Sequence, residues 1–528
     1  MRHPLENESH DWDEKCDVAI LGCGAAGMAA AIEAHDAGAH TIIIEKMPAG
    51  REGGNTRVSG GIWFDNTSAE RAAVYLRGLC GKFPLPEAVV QAWAHETAAN
   101  TAWLEQLGIK ARYVSGYLPE YPELDGSDCY GGYLGVDGIM GGGRFFDQLY
   151  AVVRKRGIDI RLDTPAHDLI RDATTGEVLG VLARRSGKPL RIRATSGVVI
   201  ATGGFENNPE MTRDYLNIAG AGIWGSPAAT GDGHRMAQKA GASFWHMGNM
   251  MTYVGIKVPE YPSGFPISLF GAQAFIFVDL DGKRFTNETL ALRHGHVRVH
   301  GGYEHWPTKP MHVLFDESAR LSGPLGPKAS PLGPADITPG DPSTFAIGWN
   351  LQMEKYTWSE DNSEEIDRGW IGKADSVDEL ALDIGVDPKI LSQTIRGYNA
   401  DCAAGLDSRC DRDPQTLVPL ITPPYYYFSG PPLLAWTNGG PRRNEHGEVL
   451  DAFGDVIPGL YAAGTASSTY SWCKDGGFHI ADALAFGRVA GRSASQRTSA
   501  TLEKRPRTDR VRRLRVDSMS GRPGSSGA

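Results

Sequence analysis

Apolar positions near the start of the chain cluster into short unbroken runs, at residues 17–21, Thr41–Ile44 and 197–200. Each is the length of a buried strand and too short for a helix. An Ala-rich stretch with helical character separates the first two and ends near Ala37. This strand–helix–strand pattern predicts an α/β fold with parallel strands. Near the other end, residues 457–464 read as a strand entering a turn, and residues 480–493 as a helix. Residues 376–404 also read as helical, whereas residues 323–342 are dense in Gly and Pro and predict loops. No internal repeat is visible.

At 528 residues the chain exceeds one ordinary core, so a second domain or an insertion is expected. A net charge of −10 gives no footprint for nucleic acid, and no apolar run approaches the length of a membrane span. Residues 1–13 are polar and acidic, without the pattern of a signal peptide, and read as a flexible arm. Residues 498–528 are rich in Arg, Ser, Gly and Pro and read as a disordered basic tail. Seven scattered cysteines form neither a metal-ligand spacing nor an even disulfide set, so a reducing cytoplasm is expected.

The first strand leads straight into a Gly-Cys-Gly-Ala-Ala-Gly turn. There Gly22 permits the tight bend, Gly24 admits a pyrophosphate close to backbone, and Gly27 lets helix and strand pack. The following helix turns its unpaired N–H groups toward the phosphates. Glu45 ends the second strand, where a carboxylate accepts from ribose hydroxyls. The whole set marks a dinucleotide site without choosing between NAD and FAD.

Two further segments choose. Residues 53–61 form a polar glycine-rich loop, and residues 457–464 are followed by the Gly476-Gly477 pair. With these, the chain resembles the fumarate reductase and succinate dehydrogenase flavoprotein superfamily, which includes the 3-ketosteroid Δ1-dehydrogenases. The segments 198–204, 230–233, 282–288 and 487–491 extend the resemblance over residues 16–492. It implies a Rossmann-like, glutathione-reductase-type FAD domain formed by residues 14–243 and 376–497, with an inserted α+β capping domain at 244–375. FAD contacts are implied for Ala25, Ala26, Lys46, Gly54, Thr56, Ser59, Gly60, Gly61, Ala166, Ala201, Thr202, Gly203, Asp232, Gly464 and Thr465. Backbone donors at His479 and Ile480 would face the flavin N1/O2 edge. Asn55 stands where membrane-complex relatives carry a flavin-linking histidine, so FAD is expected to be non-covalent.

The substrate side of the resemblance is altered. The two clamp histidines of dicarboxylate reductases align near Tyr253 and with Trp436, and the clamp arginine with Lys474. Aromatic walls suit an apolar or aromatic-bearing ligand better than a small dianion. The Tyr/Pro-rich loop 113–124 resembles the ketosteroid branch and offers Tyr117 and Tyr121, while Tyr470 lies near the place of that branch's C-terminal tyrosine, now Cys473. A thiol there without a CxxC partner reads as packing.

The implied reaction interconverts CH–CH and C=C beside an activating group, with a proton donor or acceptor from the cap. Arg293 is the first candidate and His294 its rival, followed by Tyr253, Tyr117 and Tyr470. The spacing of His294, His296 and His300 suits no zinc site, and no metal is expected. A small-molecule substrate and an external electron donor or acceptor are expected, since no second dinucleotide fingerprint appears. Flavin oxidation at C–O or C–N, and a non-catalytic flavin-binding subunit, stay open.

Overall fold

The computed structural model describes residues 11–114, 118–269, 271–326 and 347–497. Tyr117, the arm up to residue 10, most of the Gly/Pro-rich middle and the basic tail lie outside the described residues. The arm's last residue is already anchored, for Asp13 exchanges hydrogen bonds with Arg191.

The chain has a mixed α/β fold. Its largest sheet has eight strands, and five of them run parallel. Their order is Asp159–Arg161, Thr41–Ile44, Glu14–Leu21, Lys188–Ile200 and Val456–Ala462. Leu21 pairs with Ile44 on one side and Ile200 on the other, and Ile200 pairs with Ala462. The carboxyl ends of four strands drawn from the two ends of the chain therefore meet along one edge. In open parallel sheets that edge is where ligands bind. Val18, Ala19, Ile20 and Leu21 are fully buried, as strands covered on both faces must be, which explains their continuous apolar run.

One face of this sheet is covered by the helices Ala25–Asp36 and Phe478–Gln496. The first is apolar on every side over residues 25–32 and buried there accordingly. The two cross at close range because Gly487 and Gly491 leave room, and a Cβ on Gly487 would lie 2.5 Å from the Ala26 carbonyl oxygen. The other face packs on the helix Asp232–Lys239 and on the antiparallel strands Ala166–Arg171 and Val178–Arg185.

A second, four-stranded antiparallel sheet is built from Phe275–Val278, Met311–Asp316, Tyr425–Gly430 and Gly372–Ala374. Phe265, Tyr356, Trp358 and Trp370 pack on one face. The helices Val377–Asp383 and Pro388–Ala404 pack on the other. These helices, and the strand ending at Gly430, thus belong to the second layer. The sequence boundary at 375 falls inside that layer rather than at its edge.

The 282–288 motif has a structural duty here. Arg284 forks onto Glu288 and Asp407, all three side chains being sealed from solvent, while Arg412 caps the Phe275 carbonyl. Each buried charge therefore has a partner, as burial requires. No helix among the described residues is long and apolar enough to cross a membrane.

Candidate active site

Where the strand edge meets the second layer, one cavity of about 590 Å³ runs along the parallel strands and ends among aromatic side chains. At its strand end Gly22 has φ +102°, and a side chain there would strike the Ala201 carbonyl. Gly24 caps the Ala25–Asp36 helix without a side chain of its own, and the Ala25 N–H donates to Thr56 Oγ1 at 2.9 Å. Glu45 accepts from the N–H groups of Cys23 and Met47, at 2.9 and 2.8 Å. Burial raises its pKa against those two donors. Lys46 Nζ donates to Asp232 and Thr230, at 2.6 Å each. Thr202 Oγ1 is buried with no hydrogen-bond partner, so it has capacity to spare for a ligand.

Ala26, Ala166, Gly203, Gly464 and Thr465 complete this end. Gly27 does not line the cavity: a Cβ on it would run into the Gly22 carbonyl, so its task is packing behind the turn. Farther along, Gly54, Asn55, Thr56, Ser59, Gly60 and Gly61 form one wall. Asn55 is locked in place, donating to Glu206 and accepting from the Ser226 N–H, each at 2.7 Å. Opposite stands the N-terminus of the helix Phe478–Gln496, capped by Gly477 with no side-chain acceptor, and His479 and Ile480 face the cavity. Its free N–H groups and dipole favour negative charge there.

The far end is walled by Tyr133, Trp224, Met251, Leu292, Ile347 and Trp436. Glu120, His294 and Lys474 enter it, with His479 beside Trp436. Lys474 Nζ sits 4.4 Å from the centre of the Trp436 ring and 3.3 Å from the Asp475 carbonyl oxygen. Burial lowers its pKa to about 7, against the pull of Glu120 and Asp475. His294 Nδ1 is bound to Glu120. Burial pushes that imidazole below its usual range while Glu120 draws it partly back, and Lys474 opposes its protonation. Behind them Asp475 accepts from Tyr75 Oη and from the N–H groups of Glu120 and Gly476, at 2.7, 2.9 and 2.7 Å.

Of the sequence candidates for chemistry, Lys474 and His294 meet in this cavity and three others do not. Arg293 and His294 flank the first half of a tight turn in which the N–H and C=O groups of Arg293 and His296 pair. His294 and Gly295 both have positive φ, +46° and +90°, the type I′ pattern. The turn sends His294 inward and Arg293 outward, where its guanidinium meets Glu123 at 2.5 Å. Tyr253 follows a register shift after Met251 and packs on Trp224, ring centres 5.4 Å apart, instead of lining the cavity. Tyr470 is wholly buried, donating to the Phe478 carbonyl at 2.6 Å and accepting from Trp93. Tyr121 donates to the Arg293 carbonyl and is likewise buried. Cys473 is buried, and desolvation pushes its thiol up to about 12, away from reactivity. No group of three metal-ligating side chains occurs among the described residues.

Glu120, Trp224 and Tyr133 are the site residues that sequence reasoning missed. Glu120 lies in the loop already singled out for its tyrosines, but Glu123 lies there too, and only the fold distinguishes them.

A family model described as "FAD binding domain" matches residues 17–483. The chain is 26% identical to a fumarate reductase (cytochrome) of Shewanella frigidimarina, over 93% of this chain and 78% of that protein. It is 28% identical to a 3-oxosteroid 1-dehydrogenase of Mycobacterium tuberculosis, over 90% of this chain and 98% of that protein. Its fold matches the crystal structure of 3-ketosteroid delta1-dehydrogenase from Sterolibacterium denitrificans with a TM-score of 0.70 at 21% identity, covering 91% and 99% of the two chains. With the glycine turns, the bare N-terminus of the helix Phe478–Gln496 and the spare Thr202 hydroxyl all facing one cavity, the chain belongs to the FAD binding domain family and is a flavoprotein oxidoreductase.

Proposed function

We propose that this chain interconverts CH–CH and C=C next to an activating group in an apolar or aromatic-bearing substrate. The observation that carries the reading is the single cavity that joins the nucleotide turns to an aromatic pocket holding one small ionisable cluster. The parallel sheet is read as a Rossmann-like, glutathione-reductase-type domain formed by both ends of the chain. The second layer, from about residue 244 to Gly430, is read as the inserted capping domain.

FAD bound along the strand edge would supply hydride exchange at its N5. Gly22 and Gly24 would admit the pyrophosphate to backbone, Glu45 would accept from the ribose, and Lys46 and Asp232 would stand beside it. The N–H groups of His479 and Ile480 would offer hydrogen bonds to the N1/O2 edge. Asn55, an amide without a nucleophilic nitrogen, supports non-covalent binding. The proton donor or acceptor would come from the capping layer. Trp436 and Tyr253 in place of clamp histidines leave no pair of cations for a small dianion. Electrons would pass to or from an external partner. All seven cysteines are free, in keeping with a reducing cytoplasm.

The test is anaerobic mixing of the holoenzyme with saturated carbonyl compounds, including steroids and aromatic-bearing acids, while following flavin absorbance. Bleaching with an unsaturated product is the expected result for a dehydrogenase. Reoxidation of chemically reduced enzyme by the unsaturated analogues is expected for a reductase. No change in either direction would overturn the reading in favour of oxidation at C–O or C–N.

A further inference from the structure

Building on that reaction class, we propose that His294 exchanges the substrate proton through its Nε2 and that Glu120 is the positioning residue that holds its tautomer. Three independent features of the structure converge on this pair.

The first is the orientation of the ring. His294 lines the cavity with 28% of its side chain open. With Nδ1 bound to a carboxylate, the proton of the neutral ring resides on Nδ1, which leaves a lone pair on Nε2. Nε2 has no hydrogen-bond partner among the described residues. This is the arrangement in which a carboxylate orients an imidazole for general acid–base work.

The second is the backbone. A left-handed φ of +46° is uncommon for any residue with a side chain, and His294 shares the left-handed region with His246 and His300 in this chain. Strained positions of this kind gather at sites where orientation matters. The turn is also clamped, because a Cβ on Gly295 would come 2.8 Å from Met251 Cα in the cavity wall. The histidine is therefore held by packing on one side and a carboxylate on the other.

The third is the carboxylate itself. The Glu120 backbone N–H is tied to Asp475, and Glu120 Oε2 is buried with no partner of its own. A carboxylate fixed at one oxygen and unsatisfied at the other is poised to stabilise the imidazolium that forms. Lys474 is less suited to the transfer, since Nζ is committed to the Trp436 face and the Asp475 carbonyl. The titratable groups that face His294 are Glu120, Lys474, His296 and His479. Burial and Lys474 keep the ring neutral at rest, as a base must be.

In the desaturating direction the C–H bond beside the activating group breaks and its proton passes to His294 Nε2. The electron pair left behind becomes the π bond of the new C=C, and the hydrogen on the neighbouring carbon leaves with its bonding pair, as hydride, for FAD. In the reducing direction His294 returns the proton to the carbon.

The test uses holoenzyme and the compound that reduces the wild-type flavin. His294→Asn is the variant of choice, because Asn adopts the left-handed turn and should preserve the fold. Its rate of flavin reduction should fall by about 10²- to 10⁴-fold, with ligand affinity changed by less than about threefold. Glu120→Gln removes the charge that favours imidazolium, so the acid limb of the pH–rate profile should move to lower pH.

A readout independent of turnover is ¹⁵N-histidine NMR. The Nδ1–H tautomer should be seen for the resonance missing in His294→Asn and should be lost in Glu120→Gln. A wild-type rate in His294→Asn, an unmoved acid limb in Glu120→Gln, or an Nε2–H tautomer would each overturn the assignment. Should no compound reduce the wild-type flavin and no unsaturated analogue reoxidise it, the reaction class fails, and the NMR result still decides the His294–Glu120 pair.

Discussion

A lysine at position 474 does something an arginine there would not. Buried and poised near neutrality, it changes charge where a guanidinium would stay charged. Above about pH 7 the amine predominates, and below it the ammonium sits over the Trp436 ring. Binding of phenylacetate, followed by perturbation of the flavin spectrum, should therefore weaken as pH rises through about 7. In Lys474→Arg it should stay level. A level profile in both proteins would mean that Lys474 keeps its proton in the cavity. At this scale the sequence was only half readable. Lys474 stood out because it replaced a residue of a known clamp. Arg293 and His294 are neighbours, and choosing between them required a left-handed φ that no residue type announces when the residue is histidine.

Helix against helix, the tolerance is smaller. The Phe478–Gln496 helix rests on Ala25–Asp36 through Gly487 and Gly491, which meet the Ala26 and Ala30 carbonyls. Backbone cannot yield as a side chain tip can, so Gly491→Ala must push the helices apart. A cost of about 1–3 kcal/mol is expected, seen as a lower Tm together with faster loss of FAD on dilution. An unchanged Tm would show that the helices separate freely. Elements of this kind were legible in advance, because a tight turn or a close helix crossing demands glycine and leaves it visible in the sequence. Of the aromatic pocket only Trp436 was legible, since Trp224 and Tyr133 join it only through sheets whose partners lie far apart in the chain. The same holds for the second layer, which keeps the helices Val377–Asp383 and Pro388–Ala404 because their apolar stripes pack on its sheet.

Over the whole molecule, several buried histidines set a limit on acid stability. Burial lowers His234, His246 and His305 to about 4 and His296 to about 3. An unfolded histidine titrates near 6.5, so between about 6.5 and 4 the unfolded chain binds more protons than the folded one. Stability should fall as pH drops through that window. The check is Tm by circular dichroism across a pH series, and a flat Tm from neutrality to pH 5 would contradict it. The parallel sheet has a consequence for biosynthesis. A nascent chain that has reached Lys474 already holds every glycine of the first turn, yet the donors at His479 and Ile480 are still unmade. The strand Val456–Ala462 and the helix after it come last along the chain, so the cavity wall is complete only once residues up to Ala483 are in place. A chain ending just before Phe478 would keep the glycine turns and lack the helix end that faces them, leaving an open half-site.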